Sequence, residues 1–400
     1  MWLIPRRWPD TASGEPRLLR AACEAPGADN SALVGQWERG VAEFVGVPHA
    51  VAVNSGRLGM RLILEHLKIG AGDEVIVPAY TLKDLLPLIQ DTGAKAVPAD
   101  IDPNTLNVTA DSVAARITPN TRAVVVLHAF GAPAPVDAIA ALAEARGIPV
   151  VEDCAHSLGA TLNGRQTGSF GRAAFFSFEP TKPVNTYGGG MVVTGDAELA
   201  KFVRGRVENL PLDPATLLKK AAATNKEKLL TGTGLAWPLL MLLASPRGKA
   251  LLSRAYRGAQ TVPSGGAQYH PAQARIGIAR LGTLPGRLAA RRRSARLLMS
   301  LLDPSIRVQQ LIPGAESTWY FFVVLLTKRA ATLRAPLLAR YGVDAAVEEE
   351  IADECARILG RADCPGVVDV YFNAMALPMF DDIGERQVRR VAAAINRLVR

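Results

Sequence analysis

Short apolar runs recur through the first half of the chain, each closed by a polar or glycine-containing step. Residues 49–54, 72–78, 95–101, 122–128 and 148–153 read as short buried strands, and residues 58–67 and 135–146 as amphipathic helices between them. Two further runs, 173–178 and 191–194, continue the series. This strand and helix alternation predicts a mainly parallel sheet covered by helices on both faces, an α/β fold. Before it, helices are expected over 16–24 and 31–44. Tyr80, Thr81 and Leu82 are expected to open another helix. Beyond it, a long helix from about Gly286 leads to a strand over 318–326 and a final amphipathic helix over 387–400. The expected division is an N-terminal arm (1–35), lying on the main domain or on a partner subunit, a large domain (36–285) and a small C-terminal α+β domain (286–400).

The densest chemistry lies in residues 151–195. Asp153 ends a strand, and open α/β sheets bind ligands outside the carboxyl ends of their strands. The next run ends in Glu179-Pro180-Thr181, which delivers Lys182, and Gly188, Gly189 and Gly190 precede the following strand. Taken singly, Lys182 is most simply a surface lysine and Asp153 a helix cap. Upstream, the strand ending at Asn54 runs through Ser55, Gly56 and Arg57 into a helix. The free N–H groups and positive dipole end of such a turn form an anion site. Arg57 either grips the same anion bidentately or points to solvent. His128 either lines a pocket or caps its strand. Asp100 and Asp102 read as turn formers.

The linked order Glu-Asp-x-Ala-His, Gly-Ser-x-Gly, Phe-Ser-Phe-x-Pro-Thr-Lys-Pro and Gly-Gly-Gly-Met-Val resembles the DegT/DnrJ/EryC1/StrS family of pyridoxal-phosphate-dependent sugar aminotransferases. The resemblance is close over residues 38–205 and looser elsewhere. It implies an aspartate aminotransferase-like fold (PLP fold type I) and a homodimer. It also implies pyridoxal 5'-phosphate (PLP) as cofactor, with Lys182 as Schiff-base lysine, Asp153 on the ring nitrogen, His156 by the phenolic oxygen and Ser177 on the phosphate. Ser55, Gly56 and Arg57 fall at the phosphate turn, and Leu82 falls where relatives carry an aromatic residue that stacks on the ring. The residue types suit the chemistry, which needs an amine to hold an aldehyde and a carboxylate to keep a ring nitrogen protonated. Three stretches depart from the family. Arg57 replaces threonine, Tyr269-His270-Pro271 stands where Asn-x-Arg is usual, and Val347 to Glu350 stands in place of His-Tyr-Pro. The expected reaction moves an amino group from glutamate or glutamine to a keto sugar or nucleotide sugar, free or lipid-linked. The alternatives are a PLP-dependent sugar dehydratase, whose lysine is replaced by histidine, and a non-catalytic regulator or scaffold at a membrane.

Composition narrows the partners. The 400 residues carry a net charge of +9, which favours anionic partners. The basic residues are not interleaved with aromatics as a nucleic-acid binder would need. Eight basic residues and one acidic residue fall between 216 and 257, within an apparent insertion at 206–262. Its apolar run, 229–244, either enters the interface of an anionic membrane or packs as a buried helix. Four cysteines without metal spacing and no export signal point to the cytoplasm, and no metal site is expected.

Overall fold

The computed structural model describes residues 3–12, 14–24, 30–243 and 266–399. Seven strands make the central sheet: β1 (His49–Val53), β2 (Glu74–Pro78), β3 (Lys95–Ala99), β4 (Thr121–Leu127), β5 (Val150–Asp153), β6 (Ala173–Ser177) and β7 (Gly190–Thr194). Their order across the sheet is β1-β7-β6-β5-β4-β2-β3. Only β7 runs against the rest, antiparallel to both β1 and β6. The carboxyl ends of six strands and the amino end of β7 therefore share one edge.

The apolar runs form this sheet because alternate side chains bury on opposite faces. Val125 and Val151 pack with Val75 and Val77 beneath helices Gly56–His66 and Ala197–Val207. Val124, Val126 and Val150 pack with Ile76 on the other face, against helix Val136–Glu144. A separate antiparallel sheet joins Arg307–Val308, Phe322–Leu325, Ala374–Leu377 and Ala346–Val347 in that order. Helices Ala330–Tyr341 and Glu385–Val399 cover it.

Several local expectations change. Tyr80–Thr81 is a two-residue strand paired with Asp353–Glu354, and the helix expected to open here starts only after it, with the turn Lys83–Leu85 running into helix Leu86–Gln90. The helix expected from Gly286 begins at Pro271 and runs to Leu301. An arginine run on a helix reads as a solvated face, and Arg293 and Arg296 are exposed, but Arg291 and Arg292 are not part of such a face. Arg291 is buried against Asp381, with Nε 2.8 Å from Oδ1, and Arg292 donates to the carbonyls of Ser317 and Gly159. The N-terminal arm lies on its own chain, where Ile4 bridges Val343 and Arg6 pairs with Asp344 and Glu350. The insertion contains helices Pro214–Thr233 and Trp237–Leu243. Its basic residues Arg247, Lys249, Arg254 and Arg257 lie outside the described residues.

Candidate active site

The carboxyl edge of β5 presents two buried acids. Glu152 Oε1 accepts the Phe170 and Gly171 amides at 2.8 and 2.7 Å, and Oε2 accepts Gly168 N–H at 2.8 Å and lies 3.0 Å from His128 Nε2. Burial pushes its pKa up, but His128 and the amides of Gly168 and Gly171 outweigh it and the carboxyl is lowered. His128 Nδ1 accepts Ala134 N–H, which leaves the ring proton on Nε2 for Glu152. Both ring nitrogens are thus committed, so His128 belongs to the architecture of the strand end. Asp153 differs. Burial pushes it up to about 6, with the Ala155 amide and the Lys182 charge pulling the other way.

Lys182 follows the end of β6 and reaches the same space. Its Nζ lies 3.4 Å from Tyr320 Oη and over the Tyr320 ring, 4.6 Å from the centroid. That hydroxyl also lies 3.0 Å from Thr181 Oγ1. The Tyr320 ring stacks on the His156 imidazole with centroids 4.3 Å apart and planes 14° apart. His156 is buried, its Nδ1 has no hydrogen-bond partner among the described residues, and burial together with Lys182 holds its pKa well below the usual range. Asp153, His156 and Lys182 are therefore brought together. Tyr320 was not singled out from the sequence, because it precedes a strand recognised only by its apolar residues.

The loop carrying Lys182 is held by the long helix. Gln273 Nε2 donates to the carbonyls of Thr186 and Gly188, and Tyr269 Oη donates to Thr186 Oγ1. His270 caps the helix by accepting Ala272 N–H. Tyr269 and His270 thus support the loop instead of entering the site. The adjacent Glu179 pairs with Lys220 of the insertion at 2.8 Å.

The turn after β1 forms a cradle. Ser55 Oγ caps helix Gly56–His66 by accepting Leu58 N–H at 3.2 Å. A Cβ at Gly56 would meet Ser177 Cβ at 3.5 Å, and one at Gly190 would strike the Gly56 nitrogen at 2.6 Å. The amide turn and Ser177 are held side by side by backbones that only glycine lets approach so closely. Arg57 pairs with Asp84, Nη1 to Oδ2 at 3.5 Å. Leu82 is exposed at the start of the turn Lys83–Leu85. Of the departing acids, Glu348 binds Arg329 and Glu350 binds Arg6 and Arg334.

The model of the DegT/DnrJ/EryC1/StrS aminotransferase family matches residues 17–229, more than half of the chain. The chain belongs to this family. Among family relatives, it is 38% identical over 221 residues to the L-glutamine:2-deoxy-scyllo-inosose aminotransferase of Streptomyces fradiae, covering 53% of this chain and 51% of that one. The match thus spans about half the length of that relative. Similar solved structures include the aminotransferase TlmJ from Streptoalloteichus hindustanus, 26% identical with a TM-score of 0.76, covering 99% of this chain and 98% of that one. Another is S. venezuelae DesV in complex with a ketimine intermediate, 28% identical with a TM-score of 0.70 over 95% of this chain and 97% of that one. The fold is PLP fold type I, and the family's cofactor is PLP. The residues present fit it. The buried Asp153 has a raised pKa that a positively charged ring nitrogen would relieve, His156 Nδ1 has no hydrogen-bond partner among the described residues, and the close approach of Gly190 to Gly56 sets the helix N-terminus beside Ser177, where a phosphate would fit.

Proposed function

We propose that this chain is a PLP-dependent aminotransferase, working as a homodimer, that moves an amino group from glutamine or glutamate to a keto sugar or similar cyclic ketone. The observation that carries the reading is the meeting of Lys182 and buried Asp153 at neighbouring strand ends. The Streptomyces fradiae relative, named for L-glutamine and 2-deoxy-scyllo-inosose, supports this donor and acceptor class.

Bound here, PLP supplies an aldehyde that accepts the donor nitrogen and a ring that draws off electrons. Asp153, shielded from water, is a strong acceptor for the proton on the ring nitrogen. Ser177 and the amides of the Ser55-Gly56 turn hold the phosphate. His156, kept neutral by burial, would offer Nδ1 to the phenolic oxygen. Lys182 Nζ would hold the aldehyde at rest and, when its amine is free, would be the base placed to move the donor's α proton. A dehydratase is disfavoured because position 182 is lysine.

Borohydride treatment of the PLP-loaded protein is expected to fix one adduct on Lys182, and nitrogen-labelled glutamine or glutamate to pass its label to a keto acceptor. Both signals vanish in Lys182→Ala. An equal adduct in that variant would overturn the assignment, and an adduct without transfer in the parent would favour the non-catalytic scaffold.

We also propose that the insertion rests on an anionic membrane surface, bringing the site to a lipid-linked acceptor. No described helix is long and apolar enough to cross a membrane. Leu229, Leu235, Leu239 and Leu242 are nonetheless 65%, 70%, 48% and 50% exposed on its two helices and the turn between them, beside a strongly basic stretch. Such a face suits an interface that takes up leucine side chains while lysines meet lipid phosphates, each worth about 1 kcal/mol. Co-flotation with phosphatidylserine vesicles at low salt, lost when these leucines become serine, is expected. Equal flotation of parent and variant, or none by the parent, overturns it.

A further inference from the structure

Tyr320 sits where its own sequence neighbourhood would not place it. It lies two residues before strand Phe322–Leu325 of the small sheet, yet its side chain leaves that sheet and enters the space beside Lys182. Three features force that direction. Trp319 has φ +50°, a left-handed conformation that is strained for a tryptophan and persists only where its surroundings over-determine it. Thr318 on one side of it is pinned, its hydroxyl donating to the His156 carbonyl at 2.7 Å and its amide to the Gly131 carbonyl at 3.0 Å. Trp319 itself is buried and stacks on Phe322, 5.4 Å between centroids. The kink therefore delivers the Tyr320 ring flat onto His156 and its hydroxyl between Thr181 Oγ1 and Lys182 Nζ.

Resting on the aminotransferase reading above, we propose that Tyr320 is a further catalytic residue. Its hydroxyl docks the Lys182 amine during the half of the cycle in which that amine is not bonded to the cofactor. A free lysine amine on four rotatable carbons otherwise samples many positions, and only those within reach of the donor's α carbon are productive. A hydrogen bond at Nζ, with Thr181 fixing the phenol, selects among them. The same ring backs His156, so one side chain sets the positions of both the proton carrier and the imidazole. No bond is made or broken at Tyr320. Either direction of the hydrogen bond lowers the nucleophilicity of the free amine, because a phenol proton ties up its lone pair or a phenol oxygen stabilises its ammonium form.

Tyr320→Phe keeps the stacked ring and removes only the hydroxyl. In cofactor-free protein, trace labelling with trinitrobenzenesulfonate at fixed pH, mapped by peptide, is expected to modify Lys182 at least about threefold faster in Tyr320→Phe than in the parent. In the loaded enzyme the same change lowers kcat by about 10- to 100-fold, the worth of a hydrogen bond to a charged group, with KM for the donor within about threefold. Thr181→Val, which removes the neighbouring hydroxyl alone, moves both readouts the same way by less. Unchanged Lys182 labelling in Tyr320→Phe overturns the docking role, whatever the turnover. If labelling rises while the parent itself transfers no amine, the contact stands and the aminotransferase reading fails.

Discussion

Glu152 and Asp153 are neighbours in sequence, both buried, at the end of one strand, and they are opposite kinds of carboxylate. Successive side chains of β5 point to opposite faces, so the pair samples two environments separated by one backbone. Glu152 receives three backbone amides and the His128 imidazole, and its pKa falls despite burial. Asp153 receives one amide, from Ala155, and burial lifts it to about 6. Desolvation is common to both, so the hydrogen bonds supplied decide the sign. A buried acid whose acceptors are filled is part of the scaffold, and one left short of partners is poised for something the chain does not itself contain. The two histidines of this edge repeat the contrast, with both nitrogens of His128 committed and His156 Nδ1 without a partner.

The sharpest way to break this comparison is at the scaffold. Glu152→Gln puts an amide NH2 where either Oε1 or Oε2 now accepts two donors, so at least two buried N–H groups lose their acceptor. Leaving buried N–H groups without an acceptor costs about 1 to 3 kcal/mol each, so about 2 to 6 kcal/mol for two. Chemical denaturation of cofactor-free protein is expected to show that loss at both pH 5 and pH 8. A stability change below about 1 kcal/mol would mean that the network around Gly168 and Gly171 is not what holds the strand end.

The scaffold and the site differ in how readily they can be read from sequence. The strands of the central sheet were legible because each is a short apolar run with its own polar stop, and Asp153 and Lys182 were legible because they close two such runs. What was missed depends on partners far along the chain. Tyr80–Thr81 pairs with Asp353–Glu354, and no local signal announces a strand contributed from so far away. The arginine run at 291–293 has the composition of a solvated face, but Asp381 arrives from elsewhere to bury Arg291, and the Gly159 and Ser317 carbonyls tie down Arg292. Tyr320 escaped for a third reason. Its direction is set by a left-handed residue, Trp319, where an apolar run suggests ordinary extended backbone.

The site side of the comparison makes the opposite prediction, with a pH dependence. An unfolded aspartate titrates near 3.8 and the folded Asp153 near 6. Below about pH 4 both states hold the proton and the group contributes nothing. Between these values the folded state binds more protons than the unfolded one, so stability falls as pH rises. Above about pH 6 the full penalty stands, roughly 3 kcal/mol at 1.36 kcal/mol per unit. Lys182 and His128 lie near this carboxyl, and the Lys182 charge already opposes the shift. Asp153→Asn keeps a side-chain oxygen for the Ala155 amide and cannot ionise. Cofactor-free Asp153→Asn is therefore expected to be more stable than the parent by up to about 3 kcal/mol at pH 8, with the two converging near pH 4. The loaded variant is expected to lose at least about 10²-fold in turnover, since nothing then keeps the ring nitrogen protonated. A variant less stable than its parent at pH 8 would place Asp153 with Glu152 as a scaffold carboxylate. A more stable, inactive variant is the signature of a group kept at a cost in folding for the sake of the site.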